Sequence, residues 1–140
     1  MSHLWIDPNA CPSLAVLVES VTAPLLMEHE APVCLEMDID FEIPVPGDGM
    51  TTADLIRSLA LQALCEMPDG GDLTVTGCET DHGLELEIAD SGADLQSRAK
   101  RIPMAAAAIG ARISWQNCPQ GGVAATVIFP AKAVGQRRAA

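Results

Sequence analysis

The sequence predicts an α+β protein: a two-layer sandwich with helices on one face of a mixed, mostly antiparallel sheet. Three observations carry this. Residues 73–78 and 84–89 alternate apolar and polar side chains, as half-buried antiparallel strands do. Residues 52–67 repeat apolar residues at the helical period. Elements of both kinds follow one another in the order α-β-α-β-β-α-β-β over 140 residues. That length suits one domain and buries roughly 68–70% of the unfolded surface.

The elements follow in order. Residues 7–30 read as an opening helix. Pro12-Ser13 offers a start, and Leu14, Val16, Leu17, Val21, Leu25 and Leu26 form an apolar stripe. Pro24 inside this stripe should kink it. Residues 33–43 read as a strand, with Val33, Leu35, Met37 and Ile39 alternating against Glu36, Asp38 and Asp40. A turn-rich break over 44–49 leads to the helix 52–67. Thr51 is its expected cap, with Asp54 three residues on. Ile56, Leu59, Ala60, Ala63, Leu64 and Met67 make its core face, while Ser58, Gln62 and Glu66 line the adjoining one. Pro68-Asp69-Gly70-Gly71 ends it. The two alternating strands come next, joined by 79–83. A polar segment, 91–101, leads to a short Ala-rich helix over 103–109, with Pro103 in its first turn and Gly110 at its stop. Residues 111–116 and 123–129 form a last strand pair. Residues 1–131 make the domain, and 132–140 a basic, frayed tail.

Charge is divided along the chain. Residues 1–97 hold all 19 acidic side chains and one basic one; residues 98–140 hold seven basic and no acidic side chains. The net charge of −11 argues against nucleic acid and acidic membranes as partners. Two readings of the split stand: the halves compensate each other within the fold, or 98–101 and Arg137-Arg138 bind an acidic partner. Five widely spaced cysteines, without a Cys-x-x-Cys pair, indicate neither zinc nor a disulfide framework. No apolar run approaches the roughly 20 residues of a membrane span. The N-terminus lacks the basic-then-apolar form of a signal peptide. The expectation is a soluble, cytoplasmic protein.

Several stretches, in this order, resemble the ATPase domain of sensor histidine kinases, which has the Bergerat ATP-binding fold: Pro46-Gly47-Asp48 before a helix, Leu59-Ala60-Leu61-Gln62-Ala63-Leu64 within it, Pro68-Asp69-Gly70-Gly71 into a strand, Asp90-Ser91-Gly92-Ala93-Asp94 after the next, and Gly121–Pro130 at the close. The resemblance implies that Asp90 accepts from an adenine amino group, that Gly92 allows close backbone approach to a base, and that Gln62 stands where the family has a Mg²⁺-holding Asn. Thr126 would support the adenine through a water. The resemblance thereby names ATP and Mg²⁺ as the ligands to consider.

Departures from the family pattern point to a degenerate site impaired in ATP binding. Asp94 replaces the second glycine of Asp-x-Gly-x-Gly and sets a negative charge near a polyphosphate. The longer side chain of Gln62 suits Mg²⁺ octahedral geometry poorly. Ser58, one turn before Gln62, cannot act as a base near neutral pH. Residues 93–102 hold no glycine for a phosphate-cradling lid. Beside the adenine reading of Asp90 stands a plainer one, a strand-ending Asp-x-Gly turn. His29-Glu30 resembles the family's phospho-accepting pair, but Pro32 follows, and no long helical hairpin precedes the domain.

The expected function is that of a stand-alone histidine-kinase-ATPase-like protein in two-component-type signalling, without catalytic residues, binding a signalling partner such as a histidine kinase or response regulator. The alternatives are a small active kinase resembling anti-sigma-factor serine kinases, or a metal-independent adenine-nucleotide sensor. The Ala-rich helix and the methionines suit a homodimer surface or ordinary core equally well.

Overall fold

Among the described residues, alternation and helical periodicity both resolve into one five-stranded sheet backed by three helices. The computed structural model describes residues 7–131. The tail 132–140, with Arg137 and Arg138, and the N-terminal Met1–Ile6 lie outside the described residues. A 3-10 turn, Pro8–Ala10, is followed by α1 (Leu14–Glu28), β1 (Val33–Asp38), α2 (Gly49–Cys65), β2 (Gly71–Thr80), β3 (Gly83–Asp90), a 3-10 turn Leu95–Ser97, α3 (Met104–Ile109), β4 (Arg112–Asn117) and β5 (Val123–Pro130). The expected order of elements therefore holds.

The sheet runs β1-β2-β3-β5-β4. Only β1 and β2 pair in parallel; the other neighbours are antiparallel. Register decides which side chains share a face. Val75 pairs with Ile88, Ile88 with Ala125, and Ala125 with Trp115. Leu73, Leu84, Leu86, Val127 and Phe129 belong to the same face and are fully buried. They meet Leu14, Leu17 and Val18 of α1 and Leu55, Ile56 and Leu59 of α2 in one hydrophobic core. Asp90 ends this core-facing row, two residues after Ile88. Its side chain is therefore directed toward the helix layer rather than the open sheet face.

Several boundaries differ from expectation for identifiable reasons. Helix α1 begins after Ser13, whose Oγ accepts from the Val16 N–H at 3.3 Å. Pro8–Ala10 before it forms a separate turn. The helix continues past Pro24. Strand β1 ends at Asp38, because beyond it Ile39, Ile43 and Val45 turn into the core. Asp48, not Thr51, caps α2. Its carboxylate accepts from both the backbone N–H and the hydroxyl of Thr51, at 2.9 and 2.8 Å. The helix thus starts three residues earlier than the Thr51 reading places it. Pro103 stands at the cap of α3, and Gly110 stops it at φ +74°, a left-handed position that favours glycine. Among the described residues, no helix is long and apolar enough to cross a membrane.

Candidate functional site

A cleft of about 380 Å³ opens between α2, the β3-β5-β4 part of the sheet, and the 98–101 segment. Its walls include Leu59 and Ala63 from α2, Ile88, Val123 and Ala125 from the sheet, and Trp115 from the edge strand. Gln62, Glu66, Asp90, Arg98, Lys100 and Arg101 supply its polar groups. The structure therefore brings Asp90 and Gln62 to one cleft. Gly92 lies in the turn beside it.

Thr126 is not in this cleft. It pairs with Glu87 and Ser114, in the row of alternate residues that faces away from the helices. The β5 residue beside Asp90 is Val123, whose backbone N–H donates to Asp90 Oδ1 at 3.4 Å. The parity of the strand decides this. Register pairs Ile88 with Ala125, so odd-numbered residues of β5 share the face of Asp90.

The Asp90 carboxylate has a full set of internal donors. Arg98 Nη1 donates to Oδ2 at 2.8 Å and Nη2 to Oδ1 at 3.0 Å, a two-point fork. The Gly92 N–H donates to Oδ1 at 2.9 Å, closing the turn that the plainer reading of Asp90 describes. Arg98 Nη2 also donates to the Ala93 carbonyl. The two side chains are only 3% (Asp90) and 7% (Arg98) exposed. Hydrogen bonding to Asp90 raises the Arg98 pKa, burial opposes this, and the charges of Asp90, Glu66 and Asp94 add to the rise. Arg98 is consequently charged at every accessible pH. Its Nε is buried without a hydrogen-bond partner.

Gln62 is engaged as well. Its Nε2 donates to the Arg101 carbonyl at 3.0 Å, so the amide ties α2 to the same segment that carries Arg98. Ser97 Oγ donates to Asp94 Oδ1 at 2.9 Å, and the Leu95 N–H to Asn117 Oδ1 at 2.7 Å. Asp94 is thus part of the turn that leads into Arg98. Gly92 has its own steric reason: a Cβ there would collide with the carbonyl oxygen and Cβ of Glu66 at the end of α2. Its missing side chain serves helix–turn packing. His29 donates through Nε2 to the Met67 carbonyl at 2.8 Å, fastening the end of α1 to the end of α2.

With this geometry, a mixed sheet under three helices and a cleft floored by the aspartate that ends the third strand, comparison with solved structures is direct. The fold is that of histidine kinase catalytic domains. A mycobacterial sensor histidine kinase, MprB, superposes with a TM-score of 0.67 at 17% identity, over 84% of this chain and 93% of that chain. The catalytic domain of histidine kinase ThkA gives 0.67 at 14% identity, over 84% and 92%. Full-length ShkA, in complex with AMPPNP, gives 0.66 at 16% identity, over 89% of this chain and 32% of that one. No protein-family model matches the sequence, and no curated protein matches it.

The residues present do not fit Mg-ATP well. The acceptor that the resemblance assigns to adenine already holds a guanidinium, and the amide assigned to the metal is bonded to a backbone carbonyl. The signal for the Arg98 contact was the abrupt change from acidic to basic residues after Asp94. Of the two readings of that change, internal compensation describes Arg98.

Proposed function

We propose that this chain acts in two-component-type signalling as a histidine-kinase-ATPase-like domain that binds a signalling protein, with ATP binding impaired. The observation that carries this reading is the Asp90–Arg98 fork. A nucleotide base can use the Asp90 carboxylate only after displacing a charge-assisted, two-point, buried pair. The binding-competent fraction is then small, and apparent affinity falls by that fraction. What the fold retains is a surface with Leu61, Lys100 and Arg101 at the cleft and exposed Ile102 and Met104 directly after them in the chain. Histidine kinases and response regulators are the proposed partners, and self-association of the domain is a further arrangement to test.

A metal-independent adenine-nucleotide sensor is the second reading. The apolar walls and buried carboxylate of the cleft favour it. Calorimetric titration of ATP and ADP, with and without Mg²⁺, against wild type and Asp90→Asn separates the readings. The first expects no saturable binding at millimolar nucleotide, weaker than about −4.1 kcal/mol. Binding without Mg²⁺ that is lost in Asp90→Asn supports the sensor. Micromolar binding that needs Mg²⁺ and Asp90 overturns both in favour of an active kinase.

A further inference from the structure

The face of the sheet turned away from the helices has a pocket of its own, about 350 Å³ in volume. Its floor is Asp72, Thr74 and Ala89, and the β4–β5 turn, from Cys118 to Gly121, makes one wall. Alternation places it there. Leu73 and Val75 are buried in the core, so Asp72 and Thr74 point the other way. Thr74 pairs with Ala89 and Ala89 with Ala124, which carries the same face across to β5. The turn is held by its own hydrogen bonds. The Cys118 N–H donates to the Gly122 carbonyl at 2.9 Å, and the Gly121 N–H to the Cys118 carbonyl at 3.0 Å. The Asp72 N–H donates to Ser91 Oγ at 2.9 Å, which fixes the strand end beside the pocket.

The chemistry of the lining selects a cation. The Asp72 residue is exposed, and among the described residues no basic side chain lines the pocket or pairs with its carboxylate. Glu36 lies opposite Thr74, and Glu87 precedes Ala89 on the same face. Burial pushes the Cys118 thiol up, the charges of Glu87 and Asp90 add to the rise, and Arg98 opposes it. Among the described residues, the basic side chain of the strands is Arg112, which pairs with Ile128 toward the far end of β5. A primary ammonium has three donors and no acceptor. The Asp72 carboxylate, the Thr74 hydroxyl and the Gln120 side-chain carbonyl are acceptors of the kind it needs. Ala89 and Pro119 offer apolar surface to an alkyl stem.

We propose that this pocket is a binding site for a primary ammonium group on an alkyl stem, with Asp72 as its counter-charge. A free polyamine and a lysine side chain of a partner protein share this chemistry. The group is charged at neutral pH, so no proton moves on binding. The site lies on the opposite face of the sheet from the cleft and stands independently of the reading of Asp90 and Arg98.

Two probes separate the sources: spermidine, and a tripeptide with a central lysine between alanines, acetylated and amidated at its ends. Calorimetry on the full chain at physiological ionic strength suppresses diffuse attraction to the acidic surface. Wild type, Asp72→Asn and Glu85→Gln are compared. Glu85→Gln removes an equal charge from the same face, but opposite Cys78, away from the pocket. The expected result is saturable binding of at least one probe, weakened about tenfold or more by Asp72→Asn and less than about twofold by Glu85→Gln. Saturation by spermidine alone supports the site with a free polyamine as ligand, and saturation by the tripeptide supports it with a protein lysine. Equal losses in the two variants overturn the proposal as diffuse attraction. So does the absence of saturation by either probe up to about 10 mM, or equal binding of the tripeptide once its lysine is acetylated. A second readout needs no variant. Saturating probe should slow alkylation of Cys118 in wild type, followed by mass spectrometry, and leave exposed Cys78 unaffected. An unchanged Cys118 rate overturns the proposal.

Discussion

Replacing Asp90 with alanine should destabilise the fold by about 3–5 kcal/mol, the cost of breaking one side of a buried ion pair. The size follows from what the carboxylate holds. It accepts from Arg98 Nη1 and Nη2 and from the backbone N–H groups of Gly92 and Val123. With Asp90 97% and Arg98 93% shielded as side chains, taking one minus their 3% and 7% exposure, solvent does not readily replace these contacts. Were the pair solvent-exposed, the loss would be about 0–1 kcal/mol, so the two cases are well separated. Removing both charges together behaves differently. Asp90→Leu/Arg98→Met trades the pair for apolar packing, which is often neutral or stabilising by about 1–4 kcal/mol. Urea unfolding followed by circular dichroism measures Asp90→Ala, the double variant and its two single components, Asp90→Leu and Arg98→Met, with an unchanged m-value as the check that the native state is intact. A loss below about 1 kcal/mol for Asp90→Ala, or a double variant whose loss equals the sum of the two single ones, would refute the reasoning.

Three further outcomes can be checked separately. Phe129→Ala should cost about 3–5 kcal/mol in the same unfolding assay, because this fully buried ring lies in the hydrophobic core on the strand position paired with Leu84. Gly92→Ala should cost about 1–3 kcal/mol by forcing the Asp90 turn away from the end of α2; a neutral effect would remove the steric reason given for this glycine. Alkylation at mildly alkaline pH, followed by mass spectrometry, should modify exposed Cys34, Cys65 and Cys78 before Cys11 and Cys118. Burial pushes the last two thiols up, so less thiolate is present at a given pH, and their labelling should gain on the exposed thiols only as pH rises.

Much of the fold could be read from local pattern. The alternation in 33–37, 73–76 and 84–88 marks strands because one face of the sheet meets the core and the other meets solvent. The face of α2 carrying Ile56, Leu59, Ala63 and Leu64 is buried as its period indicates. What the pattern does not carry is register and cap choice. Thr126 and Val123 are both plausible partners for Asp90 until the pairing of Ile88 with Ala125 fixes the face. Asp48 and Thr51 are both good caps, and the first wins because its carboxylate reaches two donors of the second. The site was half legible. Asp90 and Gln62 do meet in one cleft, yet their contacts with Arg98 and the Arg101 carbonyl arise from the path of a loop with no periodicity to betray it.

Nitrogen-15 NMR of the arginine side chains in wild type, before and after addition of millimolar Mg-ATP, observes the occupancy of Asp90 itself. A seated Arg98 should give separate, slowly rotating Nη resonances that are absent in Asp90→Asn and unmoved by nucleotide. Averaged Nη signals like those of exposed Arg101, or Arg98 resonances that Mg-ATP displaces, would contradict an internally occupied site.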